Sequence, residues 1–337
     1  YLFAMKKMSA MGRLMKLRIT ADHISDDFWL GTGPGRFTWY YPQWQAEYFA
    51  THSNAPESYF LSAGESYIIF NEYVQLFKEI GFVGFVAFVG LLVYFFSARS
   101  GTHKRTLDAL KLTMITILSC GFTSYPFHVN IFLLMMCFCF VSAAVLRENV
   151  TRLNVRLAIK WRKVIIAGLI TLVAITGYKG IKQLNAVQHW LQLTNGADQD
   201  MATTYESLYN DLKNDGKFLT EYGIYLSTDS MSYHKAAGLL EKAKQTQFTR
   251  NAIEAAIYLY TNNGQLNNAI EYAEWLSNYL PNRFTPKYEL MTLYQKAGDT
   301  ANTRRTANAI LSMPVKIPSA EVDRIKQEAA KYLSIRP

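Results

Sequence analysis

Cysteine is scarce in this chain. Its three thiols, Cys120, Cys137 and Cys139, all lie inside apolar runs, so no polar region has a disulfide framework. Free cysteine is commonly buried as a small apolar residue, and no chemistry is assigned to these three. Nucleotide-binding signatures are missing as well. Gly31, Gly33 and Gly35 are spaced neither as the Gly-x-Gly-x-x-Gly of a dinucleotide fold nor as a Walker loop, and no strand–helix–strand pattern surrounds them. The opening Tyr1-Leu2-Phe3-Ala4 has no methionine and is not followed by the basic start, apolar middle and small-residue cleavage site of a signal peptide. It reads as the C-terminal part of a longer protein, preceded by further spans. Acidic residues are outnumbered, 26 against 35 lysines and arginines, for a net charge of +9. Much of that excess sits in short connectors between apolar runs, where it orients a membrane protein, and no nucleic-acid motif accompanies it.

A mean hydropathy near zero averages two unlike regions. The pattern predicts an all-α protein: a multi-pass transmembrane helical bundle followed by a soluble helical-repeat domain. Residues 1–76 form an outer-face region, 77–181 four transmembrane helices, and 182–337 the repeats. The apolar runs are 80–97, 107–123, 129–146 and 164–180, each near the roughly 17–25 residues needed to cross a bilayer. The connectors 98–106 and 147–163 carry Arg99, Lys104, Arg105, Arg147, Arg152 and Arg156, whereas Ser124 to His128 holds no lysine or arginine. The positive-inside rule puts both basic connectors on the cytoplasmic side, leaving residues 5–76 and the C-terminal domain on the periplasmic side of a bacterial inner membrane.

The stretch from Trp29 to Gly84 organises the rest. A glycine turn with Arg36 leads into the aromatic run Trp39 to Phe49, then a polar loop, then Asn71-Glu72-Tyr73-Val74-Gln75 at the head of an apolar helix. Upstream, residues 5–20 predict a helix that places Lys6, Lys7, Arg13, Lys16 and Arg18 among methionines and leucines. One reading lays this basic helix on anionic headgroups. The other makes Arg13 a phosphate clamp, since guanidinium stays charged and its forked donors suit a diphosphate.

An internal repeat marks the C-terminal region. Tyr260, Gly264 and Ala273 recur 34 residues later as Tyr294, Gly298 and Ala307, and Pro281 recurs as Pro314. That is the period of tetratricopeptide helix pairs. Residues 222–247, with Ala236 and Ala237, read as an earlier, degenerate copy.

The region 5–146 resembles the O-antigen ligase and O-antigen polymerase family, in members that carry a tetratricopeptide tail. The resemblance lies in the order of Ser9-Ala10-Met11-Gly12-Arg13, Gly31-Thr32-Gly33-Pro34-Gly35, the run Tyr41 to Phe49, and Asn71 to Leu76 ahead of a glycine-started span. It implies a glycosyltransferase moving a glycan from an undecaprenyl diphosphate carrier to a hydroxyl of a glycan, lipid A-core or protein acceptor, with no metal or cofactor. Arg13 would stabilise the departing diphosphate, with Arg36, Gly33, Gly35, Asn71 and Gln75 as further substrate contacts. The acceptor hydroxyl needs a base. The family commonly has a histidine before the asparagine, and here Phe70 stands there. Glu72, Glu65 and His52 are the candidate substitutes, and a base outside this region or little base assistance stays open. The repeats would grip an acceptor or a protein partner. A non-catalytic membrane scaffold is the second reading. A transporter is disfavoured, because the spans hold almost no ionisable residue beyond Lys111.

Overall fold

A computed structural model of the chain describes residues 2–52, 54–148, 159–194, 201–247 and 249–334. Every regular element among them is a helix, as the sequence pattern predicts. Most of the basic connector 147–163 lies outside the described residues. The chain gathers into two compact units, residues 1–150 with 256–337, and residues 151–255. The unit boundaries therefore cut across the predicted division at 181/182.

Six helices build the first part of the larger unit: α1 (Leu2–Asp22), α2 (Phe37–Thr51), α3 (Glu57–Ser62), α4 (Glu72–Phe96), α5 (Lys104–Cys120) and α6 (Asn130–Leu146). Met15 and Ile19 of α1 are buried against Phe37, Tyr41 and Trp44 of α2, so the basic helix rests on protein along this face. Among the described residues, α4 is the one helix long and apolar enough to cross a membrane; α6 is apolar but only 17 residues long.

Two different halves make up α4. Its first half turns Glu72, Gln75, Lys78 and Glu79 inward at helical spacing, all buried. Its second half exposes Val83, Val86, Val89 and Val93. Gly81, at φ 66° and ψ −176°, breaks the helix between them. The break frees backbone groups, and the loop before α2 takes them up. Thr32 N donates to Lys78 O and Gly33 N to Glu79 O, each at 2.9 Å, while Phe82 N donates to Phe28 O at 2.8 Å. The backbone groups that the break exposes are thus satisfied by protein.

The α4–α5–α6 hairpins share one core, including Phe95, Leu107, Met114, Met136 and Cys139. At one end Glu148 gathers the connector before α5, accepting from Ser100 Oγ at 2.6 Å and Gly101 N at 2.7 Å. These hydrogen bonds hold its carboxyl down to about 2. At the other end Glu72 N donates to Gly121 O at 2.8 Å. Glu148, at the described start of the second basic connector, thus meets the first connector at one end, and the uncharged turn lies at the opposite one.

The smaller unit holds α7 (Ile159–Thr194), α8 (Met201–Leu212), α9 (Gly216–Leu226) and α10 (Tyr233–Thr246). The fourth apolar run falls within α7, whose last turns pack Ala186, Trp190 and Leu193 against Tyr205, Leu208 and Phe218. Asp215 caps α9, accepting from Lys217 N and Phe218 N. The degenerate copy forms the α9–α10 hairpin, with Ala236 fully buried.

The chain then returns to the larger unit through α11 (Arg250–Asn262), α12 (Leu266–Tyr279), α13 (Phe284–Lys296), α14 (Thr300–Ser312) and α15 (Ala320–Ser334). Gly264 and Gly298, at φ 72° and 75°, close α11 and α13 identically. Gln265 N donates to Tyr260 O and Asp299 N to Tyr294 O, both at 2.9 Å, the outer bond of a Schellman cap. Ala273 and Ala307 are buried where the helices approach. The 34-residue sequence repeat is a repeat of structure.

This C-terminal array does not hang free. Helix α12 packs along α2, and Gln45 Nε2, fully buried, donates to Tyr279 O at 2.7 Å and Gly64 O at 3.2 Å. Asn282 Nδ2 donates to Leu61 O and Ala63 O at 3.0 and 2.6 Å. Phe60 reaches into the core of Phe284, Met291, Ile310 and Ile325. Segment 60–66 is clamped between α2 and the repeats.

Candidate functional site

Arg13 and Lys16 stand one turn apart on α1, with Ser9 on the same face. Together with Ser62, Phe70 and Lys316 they line a cavity of about 260 Å³. Ser62 is brought there by the clamped segment, and Gly12 admits it closely: a Cβ on Gly12 would lie 3.4 Å from Ser62 Cβ. Lys316, between α14 and α15, donates to Leu61 O at 2.7 Å. Three cationic side chains thus converge, and among the described residues no carboxylate or imidazole lines the cavity.

Phe70 is the floor that lets two cations sit side by side. The Arg13 guanidinium lies 4.9 Å and the Lys16 ammonium 4.7 Å from its ring centroid. The negative ring face attracts both, a gain of about 0.5–1 kcal/mol each at partly exposed sites. Phe70 adopts φ 65°, a left-handed conformation that is rare for a bulky residue and costs about 1–3 kcal/mol. Arg13 is further fixed by donating Nη1 to Thr123 O at 3.0 Å. Lys16 donates to Ile68 O at 3.5 Å, and burial, then the Arg13 charge, push its ammonium down to about 8.

No family model matches the chain, and no curated protein matches it.

The cavity collects Arg13 among the site residues chosen from sequence, and the others lie elsewhere. Asn71 caps α4, its Oδ1 accepting from Val74 N at 3.1 Å. That cap turns Glu72 toward the 121–128 loop, where Oε1 accepts from Phe127 N at 2.8 Å and Oε2 pairs with His128 Nδ1 at 3.0 Å. Gln75 Nε2 meets His128 Nε2 at 2.9 Å and Glu79 Oε1 at 3.3 Å. Glu79 Oε2 in turn accepts from Gly35 N at 2.9 Å. Glu72, Gln75, Glu79 and Gly35 therefore belong to one internal polar chain.

With both nitrogens of His128 engaged, that chain presents no open imidazole lone pair. Its hydrogen bond to Glu72 raises the His128 pKa above the ordinary value. Glu65 is exposed and accepts from the Tyr67 hydroxyl at 3.4 Å; burial, then Glu65, push that phenol up to about 12. His52 is exposed and stacks on Tyr48 at 4.4 Å. Arg36 lies 4.9 Å over the Trp39 ring, and Gly33 N is spent on Glu79 O.

Sequence reasoning passed over Lys16, Ser62, His128 and Lys316 as site residues. Lys16 had a local signal, since it lies three residues after Arg13 on a predicted helix. Lys316 had none, being 300 residues away in sequence.

Proposed function

We propose that this chain belongs to a multi-pass membrane glycosyltransferase that transfers a glycan from an undecaprenyl diphosphate carrier to an acceptor hydroxyl. In this reading α4, α5 and α6, with α7, cross a bacterial inner membrane, and the cavity opens on its periplasmic face. The observation that carries it is the convergence of Arg13, Lys16 and Lys316 on a cavity that no acidic side chain lines among the described residues. A leaving diphosphate gathers negative charge as its bond to the sugar breaks, and fixed cations aimed there stabilise it. The order of sequence segments shared with the O-antigen ligase and polymerase family supports the same assignment.

Apolar surface on both faces of the hairpin supports the membrane arrangement, with Leu112, Ile115, Phe138 and Val145 exposed on α5 and α6. Trp29 and Leu30, exposed on the loop that repairs the α4 break, extend that surface. Ligase, polymerase and protein O-glycosyltransferase share this donor chemistry and differ in the acceptor.

Arg13→Ala tests the proposal in the native host membrane. Loss of transfer by about 10²–10³-fold is expected, with normal insertion and lipid-linked donor accumulating. Unchanged transfer would remove the diphosphate role and favour the scaffold reading, in which deleting 183–337 abolishes function while changing Arg13 and Arg36 does nothing.

A further inference from the structure

We propose that Lys16 is the proton acceptor for the acceptor hydroxyl, a role that the carboxylates and imidazoles of the described residues are not placed to fill. This inference rests on the glycosyl-transfer reading. Its starting point is the inventory of the cavity. Six of its side chains are polar or aromatic: Ser9, Arg13, Lys16, Ser62, Phe70 and Lys316. Serine hydroxyls are weak bases and guanidinium does not give up its proton near neutral pH. The two lysines remain.

They differ in surroundings. Lys316 is exposed, whereas Lys16 is partly buried between α1 and the Phe70 ring. The charged groups facing Lys16 are Arg13, on its own helix, and Lys316, from the segment between α14 and α15. Segment 60–70 presents Ser62 and Phe70 to the cavity, neither of them charged. Burial and like charge both favour the neutral amine, and the value of about 8 leaves a fraction of Lys16 unprotonated at neutral pH. A diphosphate between Arg13 and Lys316 would leave the Lys16 amine in the same cavity, which the Ser62 hydroxyl also lines.

The step balances without a co-reactant. The acceptor oxygen forms a bond to the anomeric carbon while the bond from that carbon to the phosphate oxygen breaks. The bonding pair leaves with the diphosphate, which Arg13 and Lys316 stabilise. The acceptor's proton passes to the Lys16 amine, giving an ammonium that later releases it to water.

The test measures transfer from endogenous lipid-linked donor in membranes, as a function of pH, for wild type, Lys16→Met, Lys16→Arg and Arg13→Ala. Binding of inorganic pyrophosphate and thermal melting are measured on the purified full chain. Wild-type kcat/KM should rise with an inflection near pH 8, the value for Lys16 in the free protein. Lys16→Met and Lys16→Arg should each lose about 10²–10⁴-fold in kcat and lose the inflection, with a normal melt. Lys16→Arg should keep pyrophosphate binding, since it keeps the charge.

Phe70→His supplies a rescue. Its ring position puts an imidazole in the same cavity, and histidine tolerates positive φ better than phenylalanine. Adding it to Lys16→Met should restore part of the rate, with the inflection moved toward about 6.5. Wild-type kcat in Lys16→Arg, or an unchanged inflection in Lys16→Met, would overturn the proton-acceptor role. If Arg13→Ala is inactive in that case, the glycosyl-transfer reading survives alone. Full transfer in Arg13→Ala, with no pyrophosphate binding in wild type, would overturn both.

Discussion

Glu72 and His128, 56 residues apart, meet at 3.0 Å with the carboxylate almost wholly buried and about a third of the imidazole side chain exposed. The pair fastens the head of α4 to the turn before α6. Its carboxylate also accepts from Phe127 N, so Glu72 holds the loop through backbone and side chain together. Glu72→Ala should lower stability by about 2–3 kcal/mol, because it strands buried donors. His128→Ala should cost less, about 1–2 kcal/mol, since water reaches the imidazole. The His128 pKa is raised in the folded state, so its contribution is full below about pH 6.5 and is lost as pH rises through the raised value. Thermal melts of wild type and His128→Ala should therefore differ most at pH 6, with the gap narrowing as pH rises.

Gly31 and Gly81 interlock, and neither position has room for a side chain. A Cβ on Gly81 would lie 2.4 Å from Gly31 N, and one on Gly31 would lie 2.4 Å from Glu79 O, both at positive φ. Gly81→Ala should fail to assemble this region and accumulate poorly. Gly90→Ala, in the same helix with nothing within 4 Å, should accumulate normally. Equal yields of the two would show that the loop does not seat in the helix break.

Gln45 ties α2 to the repeats through one amide nitrogen. Gln45→Glu keeps the shape but sets acceptor oxygens against Tyr279 O and Gly64 O. A loss of about 2–4 kcal/mol is expected, with faster proteolysis between α10 and α12. Protease resistance equal to wild type would mean that the clamp contributes little.

Gly264 and Gly298 close equivalent hairpins in open space at the same backbone conformation. Alanine at each should cost about 1 kcal/mol, with nearly equal shifts in denaturation midpoint and an additive double variant. Strongly unequal shifts would contradict the structural equivalence of the two hairpins.

Lys16 supplies a pH signature of its own. Its folded pKa lies below the ordinary 10.5, so the folded chain binds fewer protons there, and stability should rise between about pH 8 and 10.5. Lys16→Met should flatten that rise in a pH series of melts.

Local pattern made much of this chain legible. Apolar runs, the basic helix around Arg13, the Asn71 cap and the 34-residue repeat are written in residues a few positions apart, because a helix is stabilised by neighbours at i+3 and i+4. The all-helical fold and the position of each apolar run follow from that alone.

The site was legible in part. Arg13, chosen from charge and helix context, lines the cavity, whereas Glu72, chosen as a candidate base, and Gln75, Gly33 and Gly35, chosen as substrate contacts from the family resemblance, do not. The Asn71 cap and the Gly81 break turn those groups into an internal chain from Glu72 to Gly35. Sequence by itself determined where the helices lie and which of them carry charge. Tertiary structure decided which charges meet: Glu72 with His128 across 56 residues, Gln45 with Tyr279 across 234, and Lys316 beside Arg13 across 303. Contacts at such separations leave no periodic trace, because they depend on how helices pack and loops close and not on the spacing of residues within any one of them.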